Sequence, residues 1–456
     1  MSKMSEDVEF VLSEVVRFSK MDMASLKQLT VSDHLSTIPH PRGNGHLICG
    51  IAAERRLSQL AEKALRNTNL TGRLAKGPLL RELKKEIANH FLREANPVDA
   101  KQCQYVANKA IQTAALAIVD TTHLIPCHLA NDPVPHKISI GPVTFTKTSI
   151  ALEEHKDSLQ AFAKTDELSE KLSRHAFEYF EGFGWIAEVD VPGCDPKQSA
   201  SKAAAMVQSA LDCIHLMIGA SHSSKMRVGG PNYFKDRRST IAINSKGAAN
   251  ISVSLQSEGE HLVDDWWNLV LANGASALVE LMGISISEVH LSQSPAPLAQ
   301  RFIDASGWFG QGARDTHPAS QLVKFVTAVE RTVTTKDEKY LADRIAERGA
   351  ALLCAGGIDG PNDRQLLKKV YTMRSKLLHG SRSPARLSLG EILYEAERLS
   401  RNILLSSLHF FGSKNLRLSK YSASQLDEEY LCLVDWAERR RKDGGAHIGS
   451  QLNFGS

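Results

Sequence analysis

The chain has 456 residues, a formal net charge of +4, 42% hydrophobic and 23% charged residues. That length gives room for two or three domains, and that balance describes an ordinary globular protein rather than a disordered or fibrous one. No apolar run approaches the roughly 18 residues a membrane span needs, so no membrane partner is expected.

The first ten residues carry Glu6, Asp7 and Glu9 and lack the basic-then-apolar order of a secretory signal. The seven cysteines are scattered, with no C-x-x-C pair, which predicts reduced thiols and a cytoplasmic setting. Val8–Lys20 reads as a helix and Pro39–Gly50 as loop. Apolar residues at helical spacing then mark Ile51–Arg66 and Leu79–Ala95, and the Ala-rich stretch Ala100–Thr121 reads as a buried helix. Residues 1–130 are therefore expected to form a helical N-terminal region.

The pattern changes after Pro126. Ile138, Ile140, Val143 and Phe145 alternate across Gly141-Pro142, as a short hairpin would. Gly184–Val191, Ser239–Asn244 and Ile251–Leu255 read as further strands. Ser158–Phe183, Pro196–Gly219 and Asp264–Gly283 read as interleaved helices. Residues 131–290 are expected to be a small α+β domain. Beyond Pro295 only helical periods occur: Leu298–Phe309, Ser320–Thr335, Asp337–Cys354, Asp363–His379 and Ser388–Phe411. They predict a helical bundle over 291–415. Residues 416–456 hold a last helix, Ser424–Lys442, and a flexible tail. The fold class is thus mainly α with a small α+β middle region. No fixed-period repeat, phosphate-binding loop or dinucleotide fingerprint is present.

The chemistry-bearing stretch is Tyr371 to Gly380. Leu366, Val370, Met373 and Leu377 recur at 4, 3 and 4, an apolar stripe that predicts a bundle-facing side. Gly380 suits a left-handed cap ending the helix. Tyr371, Ser375 and His379 fall on one line roughly opposite that stripe, with Arg374 at its border. An imidazole titrates near neutral pH, and a guanidinium grips two phosphate oxygens as a fork. Five residues of helix separate Arg374 and His379 by about 140° and 7.5 Å, so two copies meeting face to face make a better site than one.

Arg374-x4-His379, opened by Tyr371 and closed by Gly380, resembles the R-x4-6-H motif of HEPN domains. The form Y-x-x-R-S-x-x-x-H-G is similar to their Apea-like branch, found in prokaryotic antiviral-type ribonucleases. Trp308-Phe309-Gly310 and Leu322–Arg331 look like that branch's upstream helices, and the resemblance covers roughly residues 295–412. It implies a HEPN-type C-terminal bundle that cleaves RNA without metal or cofactor, through attack by the RNA 2′-hydroxyl. Arg374, His379 and Ser375 would be catalytic, and Tyr371, Lys376 and Arg382 would hold substrate. It further implies a homodimer through the bundle and a setting in phage defence or toxin-like growth arrest. The regions before the bundle would sense or regulate. The alternative it leaves open is a non-catalytic module that dimerises or binds RNA.

Two basic features bear on an RNA partner. Pro361 to Lys420 holds twelve basic and four acidic residues, which is either a polyanion surface or a solvated face balanced by acids elsewhere. Lys225, Arg227, Lys235, Arg237 and Arg238 surround Tyr233 and Phe234, a pattern that grips single-stranded nucleic acid or covers a core aromatic. His123, Cys127, His128 and His136 match no zinc spacing, and Asp264-Asp265 reads as acids in a first helical turn, so no metal is expected.

Overall fold

The computed structural model describes residues 3–21, 35–229, 237–243, 249–255, 259–335, 340–381 and 389–442; over 237–243 and 249–255 it describes the backbone alone. The fold is mostly helical with some sheet. Two compact units are present, 1–122 with 190–202, and 123–189 with 203–456. The boundary expected at 290/291 falls inside the second of them.

In the first unit, α1 (Lys3–Ser19) buries Val8, Val11, Val15 and Phe18, one face of an amphipathic helix. β1 (Leu35–Pro39) pairs antiparallel with β2 (His46–Gly50), from Leu35 opposite Gly50 to Pro39 opposite His46. Helices α2 (Ile51–Arg66), α3 (Lys76–Ile87) and α4 (Ala100–Ala115) complete the unit's core around Leu57, Leu79, Leu83 and Val106. Between α3 and α4, Ala88–Arg93 winds as a π-helical turn. This region is therefore not purely helical. Much of the expected loop Pro39–Gly50 is strand, held because Ile38 and Cys49 are wholly buried. The helix expected to reach Thr121 ends at Ala115, since Val119, Thr121 and Thr122 are β-branched and open a strand instead.

That strand, β3 (Val119–His128), belongs to a five-stranded sheet with β4 (Lys137–Ile140), β5 (Val143–Lys147), β6 (Trp185–Cys194) and β7 (Arg227–Val228), in the order β4-β5-β6-β3-β7. The β4–β5 hairpin forms where alternation predicts it, turning on Gly141 at φ +57°. After β5 come α5 (Thr148–Glu154), α6 (Lys156–Ala163) and α7 (Glu167–Phe180). The single helix expected over Ser158–Phe183 is two, because the Asp166 carboxylate accepts the Ser169 N–H and starts a new one. α8 (Pro196–Ile218) follows β6, and β8 (Arg237–Ile243) pairs antiparallel with β9 (Ala249–Leu255).

The rest of the second unit is helical: α9 (Trp266–Leu271), α10 (Ala275–His290), α11 (Pro297–Ala313), α12 (Pro318–Val333), α13 (Leu341–Ala355), α14 (Asp363–Leu378), α15 (Gly390–Ser413) and α16 (Ala423–Lys442). The helix expected over Asp264–Gly283 is broken at Gly274, φ +86°, and restarts as α10. Gly283 does not end it. There the α10 backbone lies against Gly141 so closely that an added Cβ would meet Gly141 Cα at 2.6 Å. α16 is part of the bundle: Tyr430 is fully buried, donates to Thr332 O at 3.0 Å, and stacks on Phe410.

One buried ion pair joins α8 to α11. The Arg314 Nη1 donates to Asp212 Oδ1 at 2.7 Å. Gly310 makes room, since a Cβ there would stand 2.0 Å from Asp212 Oδ1. Burial pushes the Asp212 carboxyl up to about 6, against the pull of Arg314. A carboxyl raised above its unfolded value binds a proton in the folded chain that the unfolded chain has already released. Its contribution is therefore most favourable below the usual carboxylate range and declines as pH rises through about 6. Relative to Asp212→Asn, the wild-type urea midpoint is expected to fall between pH 5 and pH 7.5; a midpoint difference that is flat across that range contradicts this.

Candidate functional site

On α14 the buried residues are Asp363, Leu367 and Val370. The expected stripe of Leu366, Val370, Met373 and Leu377 is thus rotated by about one position, and only Val370 of it is fully buried. Continuing the buried line by four brings it to Arg374. Its side chain is 19% exposed, and Nη2 donates to Glu330 Oε2 at 2.9 Å. Glu330 lies on α12, so this ion pair ties the two helices. The Arg374 guanidinium also sits 5.8 Å from the Tyr371 ring centroid. Its Nε–H is buried without a hydrogen-bond partner among the described residues. A charged donor left in that state strongly favours any acceptor that reaches it.

His379 caps α14, its backbone N–H donating to Ser375 O at 3.0 Å, and its side chain is exposed. Gly380 follows at φ +69°, the left-handed cap expected there, with nothing near its Cβ position. Ser375 is half-buried, and its link to His379 is the backbone one. Tyr371 is half-buried; burial first, then the Glu330 charge, raises its phenol above the usual value, while Arg374 opposes that. Beside His379, Leu378 is 52% exposed. The end of α14 therefore presents an exposed imidazole next to an apolar residue, with a fixed guanidinium one turn back.

The surrounding charge is less free than the sequence window implies. Arg364 pairs with Glu347, Lys368 with Asp343, Arg398 with Asp363 and Glu395, and Lys414 with Glu429. Arg401 donates to the carbonyls of Leu216 and Met217. Lys369, Lys376 and Lys420 are exposed and have no ion-pair partner among the described residues. Acids from outside this stretch take Arg364, Lys368, Arg374 and Lys414, while Arg398 uses two of the stretch's own acids. Arg382 lies outside the described residues.

The second basic group is described only in part. The Lys225 backbone N–H donates to Glu260 Oε1 at 2.5 Å, and Arg227 opens β7 opposite His128. Arg237 and Arg238 begin β8, while Lys235, Tyr233 and Phe234 lie outside the described residues. Cys127 and His128 are buried, His128 stacking on Phe183 at 4.7 Å. Asp265, at φ +59°, binds Asn268 Nδ2 through both carboxylate oxygens. Among the described residues no three His, Cys, Asp or Glu side chains converge as a metal site requires.

Sequence reasoning missed Glu330, which stands 44 residues from its partner Arg374. It also missed Ser209, Asp212 and His215, polar residues three apart in an apolar helix; that spacing was a signal. Ser209 bonds His290 Nε2 at 2.9 Å, and His215 Nδ1 meets Ser223 Oγ at 2.8 Å. No family model, curated protein or solved structure matches the chain.

If Glu330 and Arg374 act on Tyr371 in opposite directions, their removal separates them. Glu330→Gln is expected to bring the Tyr371 phenol down toward its ordinary value, and Arg374→Met to raise it further. NMR titration of ring-labelled tyrosine reads both; shifts of the same sign in the two variants contradict the geometry.

Proposed function

We propose that the C-terminal helices form a HEPN-type domain that cleaves RNA without a metal ion. The observation that carries this reading is the end of α14, where an exposed His379 follows an Arg374 braced by Glu330 and Tyr371. In the reaction the 2′-oxygen of a ribose bonds to the adjacent phosphorus, and the bond to the 5′-oxygen breaks. The 2′-hydroxyl proton goes to a base, and an acid protonates the departing 5′-oxygen. The products carry a 2′,3′-cyclic phosphate and a 5′-hydroxyl. His379 transfers protons and Arg374 offsets the charge that grows on the phosphate. A single His379 supplies one of the two proton transfers, so a homodimer that joins two α14 ends supplies both. Ser375, Tyr371, Lys376 and Arg382 are assigned to orienting His379 and holding the strand. The regions before the bundle are assigned to sensing a trigger, in phage defence or growth arrest.

A second reading is favoured by one observation. Arg374 is largely covered and already paired with Glu330, as suits a non-catalytic module that dimerises or binds RNA. Cleavage of end-labelled unstructured RNA by the full chain decides between them. The nuclease reading expects cyclic-phosphate ends, activity that survives EDTA, and a loss of about 100-fold or more in His379→Ala and in Arg374→Ala. Full activity in His379→Ala, or activity abolished by EDTA, refutes it. RNA binding with no cleavage by any form supports the second reading.

A further inference from the structure

We propose that α7 is a self-recognition helix, whose exposed seam pairs antiparallel with the α7 of a second copy of this chain. The α6–α7 hairpin is amphipathic but nearly coreless: no residue of α6 is buried, and Ser169 alone is buried on α7. Yet Leu168, Leu172 and Tyr179 are 65%, 52% and 43% exposed. With His175 they recur at 4, 3 and 4, the spacing of a coiled-coil seam, and they fall within about 60° of one another around the helix. Ser169, Ser173 and Phe180, the buried and half-buried positions, lie on the adjacent side. The helix therefore uses one side for its own chain and leaves Leu168, Leu172 and His175 of the seam open, while Tyr179 at its end meets Phe183 edge-on at 5.0 Å and keeps its outer face exposed.

The charges beside the seam choose the occupant. Setting Leu172 and Tyr179 as a positions and Leu168 and His175 as d positions makes Lys171 and Glu178 the flanking g positions. In an antiparallel pair, a meets d: Leu168 packs on the second copy's Tyr179, and Leu172 on its His175. The g positions then face each other, so Lys171 meets the second copy's Glu178, and Glu178 meets its Lys171. The seam is complementary to itself under a two-fold rotation, the condition for an isologous contact. Within one chain Lys171 pairs with Glu167 and Glu178 lies 3.6 Å from His175, both on exposed side chains. Such exposed pairs are weak and exchange readily for others. Four seam residues make a short interface, so the association is expected to be modest, with a dissociation constant of tens of micromolar or weaker.

Sedimentation velocity of the full chain over a concentration series tests this. The wild type is expected to show a concentration-dependent step that weakens at least tenfold in the double variant Leu168→Asp, Leu172→Asp. Lys171→Glu alone places like charges across the seam and is expected to weaken the step about fivefold, and Glu178→Lys likewise. Combining Lys171→Glu with Glu178→Lys in one chain restores it. That rescue remains informative should the aspartate variant fail to fold, which circular dichroism would show. None of these residues is placed in the RNA site, so loss of a dimer through α14 leaves this readout intact. A step indifferent to the aspartates overturns the proposal, as does a charge exchange that fails to rescue. A chain that stays monomeric at about 100 µM but binds a Leu/Lys heptad peptide through this face also overturns it, and gives the seam to a basic helix of another protein.

Discussion

The buried pair of Asp212 and Arg314 is the first link in a closed ring of polar contacts that sets the helices of the second unit. It joins α8 to α11. On α11, Asp304 takes Arg331 of α12 at 2.6 Å. The neighbouring residue of α12, Glu330, takes Arg374 of α14 at 2.9 Å. On α14, Asp363 takes Arg398 of α15 at 3.0 Å. Arg401 of α15 then returns to α8, its Nε donating to Leu216 O at 2.8 Å. Apolar packing supplies the bulk of the stability, but it tolerates sliding and rotation; directional charged contacts do not. Removing one partner of the buried Asp212–Arg314 pair leaves a charge without a partner, at a cost of about 3–5 kcal/mol, whereas the more exposed Asp304–Arg331 pair contributes about 1 kcal/mol or less. The ring therefore fixes the rotation of each helix about its axis.

That rotation decides what the end of α14 displays. Were Leu366 and Met373 the inward residues, Arg374 would stand further toward solvent with its fork free. With Asp363, Leu367 and Val370 inward instead, Arg374 comes down onto Glu330, and His379 is left outside at the cap. The Arg374 and His379 side chains are therefore held differently, one paired within the bundle and one exposed at the cap. A braced cation costs little reorganisation when charge develops nearby, which is what electrostatic stabilisation requires.

Much of this was legible in the chain. The bundle helices fall within a few residues of where the apolar period puts them, and Gly380 ends α14 as read, because these are local signals that packing did not override. The short strand His46–Gly50 was not legible, since five residues carry too little alternation and the burial of Cys49 is a tertiary fact. Gly283 misled for a related reason: a glycine in a helix usually marks an end, and here it admits a neighbouring backbone. At the site, motif spacing marked Arg374 and His379. It was silent on Glu330 and on the acids that absorb the local basic excess, because those partners come from other helices. A count of charge in a window sees composition and not pairing.

The most direct measurement of the account is binding at His379 without turnover. A 2′-deoxy oligonucleotide offers the phosphodiester but lacks the attacking hydroxyl. Titrated into chain labelled at histidine, it is expected to shift the His379 ring resonances saturably. The same titration of Arg374→Met is expected to show a much weaker shift. His379 resonances that stay still at saturating oligonucleotide, or that move equally in Arg374→Met, would mean that the end of α14 is not a phosphodiester site.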